Sequence, residues 1–173
     1  MKKDIRFLLT NSCNYDCYFC HNEGVEAKRT RKELSVEHYV TLFKVYYEME
    51  EWNGVTLSGG EPLLYRYIDT LCQRLHEEGA KITIVTNGSL LSNHLPMLKY
   101  VDRINVSIHT LTDSVYEHIT GRKNMLSHVK ETLKLVRSLY PNLEVRLNVT
   151  PCKSNGWSME ELNMILSFSK ELN

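Results

Sequence analysis

Three cysteines, Cys13, Cys17 and Cys20, stand at C-x3-C-x2-C spacing directly after the first apolar run of the chain. Thiolates this close together are ligands for a soft metal centre. An iron–sulfur cluster ordinarily takes four cysteines. Three would leave one iron with an open position where a small molecule can coordinate. The same stretch contains a C-x2-C pair, and His21 could complete a Cys3His zinc site. Spacing alone leaves both metals open. A disulfide framework fits poorly, because five cysteines are an odd number and no apolar signal segment opens the sequence.

A second chemical signal is Gly59-Gly60-Glu61-Pro62, at the end of another apolar run. The two glycines are expected to let a ligand come close to the backbone. Glu61 offers a carboxylate to a cationic group. The other two cysteines read differently. Cys72 lies between Leu71 and Leu75 in a helical stretch and is expected in the core. Cys152, after the fifth strand, could approach substrate or an accessory metal. His76, His94, His118 and His128 form no metal-ligand pattern.

These residues need a scaffold, and the hydropathy pattern supplies one. Strands are expected at 5–10, 54–58, 81–86, 103–108 and 143–149. Helices are expected at 34–51, 65–78, 91–99, 126–139 and 159–172, with Ser35 and Ser158 as N-caps and Gly79 as a stop. That is β-α five times over, an α/β fold with a curved parallel sheet and helices on its outer side. It amounts to a partial (β/α) barrel of about five units, truncated before a sixth. Cys13, Gly59, Glu61, Thr86, Asn87, Ser107, His109 and Asn148 all fall at or just past the C-terminal ends of strands. In parallel βα architectures that edge holds the active site.

Composition excludes several classes. The 173 residues fit one domain, and 21 basic residues balance 21 acidic ones. Nothing in that balance marks a nucleic-acid-coating or membrane-surface protein. Hydrophobic residues make up 42%, usual for a globular protein. No run approaches the roughly 18 apolar residues of a membrane span. Free thiols without an export signal place the expected home in the reducing cytoplasm.

Taken together, the cysteine triplet with Phe19 before its last cysteine and Gly59-Gly60-Glu61-Pro62 resemble the radical S-adenosylmethionine (SAM) superfamily. The resemblance implies a [4Fe-4S] cluster on Cys13, Cys17 and Cys20, with SAM on the open iron. It implies reductive cleavage of SAM and hydrogen abstraction from a substrate, with an electron donor such as flavodoxin or ferredoxin. Within that superfamily, Cys20-His-Asn-Glu-Gly24, Thr86-Asn-Gly88, Arg103-Ile-Asn-Val-Ser-Ile-His-Thr-Leu111 and Ile119-Thr-Gly-Arg122 are similar to the GTP 3′,8-cyclases of molybdenum cofactor biosynthesis, in their archaeal form. By that resemblance Phe19, Gly59, Gly60, Glu61, Ser107, His109 and Asn148 would face the cofactor. Arg6, Thr86 and Arg146 would contact a nucleotide, most plainly GTP. Without the family, Arg6 would read as a solvated strand residue, Arg146 as a partner of Glu144, and His109 equally as a structural bond.

Two features depart from the cyclase pattern. Tyr65 stands where the family carries arginine, with Arg66 one residue later. A one-residue shift on a helix turns a side chain by about 100°, so Arg66 would not replace it. The second cysteine triplet of the cyclases is also missing. The chain therefore reads as the radical SAM core, residues 1–173, of a longer enzyme. A peptide or another nucleoside is the alternative substrate, and a non-catalytic metal-binding module the third reading.

Overall fold

The computed structural model describes residues 4–20, 33–50, 53–151 and 157–172. Five strands form one sheet in the order β1-β2-β3-β4-β5, every neighbouring pair parallel. They are β1 (Asp4–Leu8), β2 (Gly54–Ser58), β3 (Lys81–Thr86), β4 (Arg103–Ser107) and β5 (Glu144–Asn148). The helices are α1 (Val36–Glu50), α2 (Ile68–Glu77), α3 (Asp113–Thr120), α4 (Met125–Leu139) and α5 (Met159–Glu171). The expected α/β order of five βα units is the order observed.

Strand alternation explains the layers. Phe7, Val55, Leu57, Ile82, Ile84, Ile104, Val106 and Val145 point to one face. There they meet Phe43 of α1, Leu71 and Leu75 of α2, Val129 and Leu133 of α4 and Phe168 of α5 in a single core. Cys72 is fully buried in that core, as its apolar setting requires. The opposite face is polar. Along one row of the register it carries Arg6, Thr56, Thr83, Arg103 and Glu144. Asn105 and Arg146 pair further along, and Ser107 sits beside Asn148 at the strand ends. Thr56, Ser58 and Thr83 are only 8%, 4% and 9% exposed although they face away from the helices. Their neighbours on the same face shield them, as a concave surface does.

β1 ends at Leu8 and not at residue 10, and the elements differ most from expectation in three other places. The helix expected from residue 65 begins at Ile68, after a 3-10 turn at Pro62–Leu64. The helix expected over 91–99 is two 3-10 turns, Leu91–Asn93 and Leu95–Tyr100, the second carrying proline in its first positions. Pro96 has no N–H to give an α-helical ladder. The third difference is α3, a two-turn helix closed by Gly121 in the left-handed region at φ 67°. Its Val, Ile and Thr residues have modest helix propensity, and only tertiary burial of Tyr116 and Ile119 secures it.

Tyr65 also changes meaning. It precedes α2, so the helical-rotation argument does not apply. Tyr65 is 1% exposed and its hydroxyl donates to the Leu34 carbonyl at 2.8 Å. The position is a core anchor for the start of α1. Arg66 instead lies over the Tyr67 ring.

Candidate active site

The cysteine loop runs across the C-terminal edge of β1–β4 and is held from three sides. From β2, Gly60 N–H donates to the Thr10 carbonyl and Glu61 N–H to the Ser12 carbonyl, both at 2.8 Å. This contact gives the glycines a structural role beside the expected one. Gly59 has φ 140°, and a Cβ there would overlap the Thr10 carbonyl oxygen. A Cβ on Gly60 would overlap the Ser12 carbonyl. The group that approaches these glycines closely is the cysteine loop itself, so they are needed to seat the loop.

From β3, Asn87 and Ser89 reach the residue beside Cys13. Asn87 Nδ2 donates to Asn14 Oδ1 at 2.9 Å, Asn14 Nδ2 to Ser89 Oγ at 2.8 Å, and Ser89 Oγ back to Asn87 Oδ1 at 2.6 Å. Each side chain in this ring donates once and accepts once. From α3, the helix C-terminus gives its free carbonyls to the loop. Asp16 N–H donates to Thr120 and Tyr18 N–H to Ile119. These satisfy groups that a helix end otherwise leaves to water. Tyr15 and Tyr116 join the same two segments through a buried hydroxyl pair, 3.0 Å apart.

Glu61 is 1% exposed and its carboxylate accepts three bonds, from Leu63 N–H at 3.1 Å, Thr86 Oγ1 at 2.7 Å and Asn87 N–H at 2.8 Å. Burial raises its pKa, while the Thr86 and backbone donors pull it down. The carboxylate thus fastens the β2 loop to the β3 loop. Thr86, expected at a nucleotide, is tied into the Glu61 network. It is 2% exposed, its hydroxyl donates to Glu61 and accepts from Gly88 N–H. Strand alternation turns it to the helix side with Ile82 and Ile84, away from the concave face. It bears on the site through Glu61 and the loop after β3.

The thiols themselves are unequal. Cys13 and Cys20 are exposed and Cys17 is half-buried. Burial, then repulsion from the neighbouring thiols, pushes Cys17 up to about 11. Burial also raises Cys13, but the Tyr15 N–H at 3.4 Å and the Asn87 amide at 3.9 Å from its sulfur oppose it. As thiolates, the three need a bound cation to offset their repulsion. Among the described residues no three His, Cys, Asp or Glu side chains converge as a single-ion cage requires. A four-iron cube gives each cysteine its own iron, so its donor set does not need that convergence. His21, Cys152 and the Cys20–Gly24 motif beyond Cys20 lie outside the described residues.

Phe19 is half-buried and meets the His109 ring edge-on at 4.8 Å. His109 Nδ1 accepts from Thr150 N–H at 3.1 Å, which places the ring proton on Nε2. Burial pushes this imidazole down to about 4, so it is neutral near pH 7. Ser107 and Asn148 stand side by side at the rim, with the Asn148 carbonyl taken by Ile108 N–H. One step deeper, Asn105 Oδ1 is buried with no hydrogen-bond partner among the described residues.

On the concave face Glu144 lies between two guanidiniums, Arg103 Nε at 2.7 Å and Arg146 Nε at 2.6 Å. The Arg103 bond, then that from Arg146, holds its carboxyl below the usual range. Two cations share one anion, so the trio keeps one net positive charge on this face. Arg6 stands on the far edge strand, exposed on the same face. Two contributors had not been read from the sequence. Arg103 is one. The other is Glu161, 7% exposed, whose carboxylate accepts from Thr110 Oγ1, Leu111 N–H and Thr112 Oγ1. Its signal was the Ser158-x-x-Glu161 pattern of a capping box. Ser158 does cap α5 by accepting from Glu161 N–H, but the Glu161 side chain goes to the loop after β4 instead.

No helix among the described residues is long and apolar enough to cross a membrane. Comparison with known proteins agrees with the geometry. The chain is 35% identical to a probable GTP 3′,8-cyclase of Sulfurisphaera tokodaii, across 98% of this chain and 52% of that protein. It is 34% identical to a probable GTP 3′,8-cyclase of Thermococcus kodakarensis, across 91% of this chain and 52% of that protein. The chain therefore spans about half the length of these curated relatives. Among solved structures, Streptococcus suis SuiB bound to S-adenosylmethionine superposes with a TM-score of 0.81 at 21% identity, covering 96% of this chain and 37% of SuiB. The sequence profile of the Radical SAM superfamily matches residues 7–168. With that match over nearly its whole length, the chain belongs to the radical SAM superfamily.

Proposed function

We propose that this chain forms the core of a radical SAM enzyme that acts on a purine nucleotide, GTP in the first instance. The observation that carries the reading is the exposed three-cysteine loop, fixed on the strand rim above a polar concave face. Cys13, Cys17 and Cys20 would hold a [4Fe-4S] cluster, and the rim between Gly60, Ser107 and the cysteine loop would hold SAM. When bound, these cofactors supply reductive carbon–sulfur cleavage and hydrogen-atom abstraction. The chain's own residues orient and shield. Phe19 and His109 wall the site with a neutral edge. Ser107 and Asn148 present hydroxyl and amide groups suited to ribose. The Arg103–Glu144–Arg146 trio and Arg6 offer positive charge to phosphates from opposite sides of the face. An external one-electron donor, such as flavodoxin or ferredoxin, completes the scheme.

The nucleotide assignment is supported by the likeness to probable GTP 3′,8-cyclases across almost the whole chain. A peptide or another nucleoside is the second reading, and Tyr65 is the reason to keep it. The family's arginine position is occupied here by a buried core residue. An anaerobic turnover assay with SAM, reductant and GTP separates the two. The expected result is 5′-deoxyadenosine release that rises with GTP and is matched by a nucleotide product. Release indifferent to GTP would discard the nucleotide reading.

A further inference from the structure

We propose that Asn87 is a positioning residue that hydrogen-bonds the sulfur of Cys13 and so sets the reduction midpoint of the cluster. The inference rests on the reading of Cys13, Cys17 and Cys20 as cluster ligands, and adds a residue outside the ligand set.

The orientation of the Asn87 amide is fixed by its partners. Ser89 N–H at 3.0 Å and Ser89 Oγ at 2.6 Å both donate to one amide atom, which must therefore be the oxygen. The nitrogen then has two hydrogens to place. One goes to Asn14 Oδ1 at 2.9 Å, and the other points to Cys13 Sγ at 3.9 Å. The backbone is pinned as well, since Asn87 N–H donates to the buried carboxylate of Glu61. Asn87 is thus held at its backbone, its oxygen and one of its hydrogens, while the remaining hydrogen is aimed at sulfur. Cys13 also receives Tyr15 N–H, and no hydrogen bond to the sulfur of Cys17 is seen among the described residues.

The consequence is electrostatic. One-electron reduction leaves the cluster and its thiolates one unit more negative. An N–H dipole aimed at a ligand sulfur stabilises that added charge, so hydrogen bonds to sulfur raise the potential. Asn87 is built to do this without reorganising, because the ring of Asn14, Asn87 and Ser89 holds it in place.

The test uses the anaerobically reconstituted chain, without SAM, titrated with dithionite and followed by electron paramagnetic resonance. Asn87→Ala removes the N–H donor. Asn87→Asp keeps an acceptor for Ser89 and turns a carboxylate oxygen toward the sulfur, while Asn14 can turn its own amide to donate. Ser89→Ala removes both ring bonds of the Ser89 hydroxyl but keeps the Asn87 amide, with its bonds from Ser89 N–H and to Asn14. The expected order of midpoints is wild type and Ser89→Ala highest, Asn87→Ala more negative and Asn87→Asp most negative, with equal iron and sulfide content. Wild-type midpoints in both Asn87 variants would overturn the proposal. So would a shift in Ser89→Ala as large as that in Asn87→Ala, which would assign the effect to rigidity alone. Loss of the cluster from both Asn87 variants would give Asn87 a folding role and also overturn it. Failure of the wild-type chain to assemble any cluster would instead defeat the ligand assignment itself.

Discussion

Glu61 and Glu161 are both buried acids that accept three hydrogen bonds, yet they hold different parts of the rim. Glu61 joins the loop after β2 to the loop after β3, and both of those loops bond the cysteine segment. Glu161 joins α5 to residues 110–112, just past β4. The physics is shared. A carboxyl group in a dry place is kept there by the donors that surround it, and removing it strands those donors. The consequence differs. The loops fastened by Glu61 support the thiol segment after β1, whereas Glu161 fastens the loop beside His109.

The comparison breaks most sharply through Glu61→Ala. Thr86 Oγ1 and two backbone N–H groups would lose their buried acceptor, and urea denaturation should show a loss of about 3–5 kcal/mol. Iron loading on reconstitution should fall as well, because the cysteine loop loses its support. Glu161→Ala should lower stability by about 2–3 kcal/mol, since part of its donor set can reach water. Its iron loading should stay at the wild-type level. Equal loss of iron in the two variants would erase the distinction between the two halves of the rim.

His109 sharpens the same contrast through pH. Its folded pKa of about 4 lies below the ordinary 6.5. Between these values the unfolded chain binds a proton that the folded chain does not, so stability falls as pH drops from about 6.5 to about 4. His109→Gln should flatten that part of a urea-midpoint profile by up to one proton's worth of slope. An unchanged slope would mean that the imidazole does not stay neutral in the fold. The smallest expected effect belongs to Asn105. Its buried oxygen lacks a partner, so Asn105→Val should raise stability by about 1 kcal/mol in thermal unfolding. It should also weaken nucleotide or SAM binding in calorimetry, if the concave face is the ligand surface.

The sequence made the scaffold legible because its strands alternate cleanly and end in turn residues. Lys81–Thr86 and Gly54–Ser58 needed no correction. It made the cysteine loop legible because thiol spacing is a local property. What the sequence did not show is tertiary. The purpose of Gly59 and Gly60 depended on which backbone crosses them, and that is Thr10 to Ser12. Thr86 looked like a lining residue because it ends a strand, but parity and Glu61 turn it inward. Tyr65 gave no local sign that its hydroxyl would reach Leu34. The Ile119–Arg122 stretch was visible as a motif, while its work, offering helix-end carbonyls to Asp16 and Tyr18, appears only in the fold. Arg146 pairs with Glu144, as a strand neighbour two residues away would, and that pair is shared with Arg103.

The central claim is that Cys13, Cys17 and Cys20 together hold a four-iron cluster. Anaerobic iron–sulfide reconstitution of wild type and Cys17→Ala, with iron analysis and visible absorption, tests it directly. Wild type should bind about four irons, as a [4Fe-4S] cluster requires, and show the broad charge-transfer band of a brown iron–sulfur protein, while Cys17→Ala should lose both. A full four-iron cluster in Cys17→Ala, or a wild-type chain that binds one zinc and no iron, would contradict it.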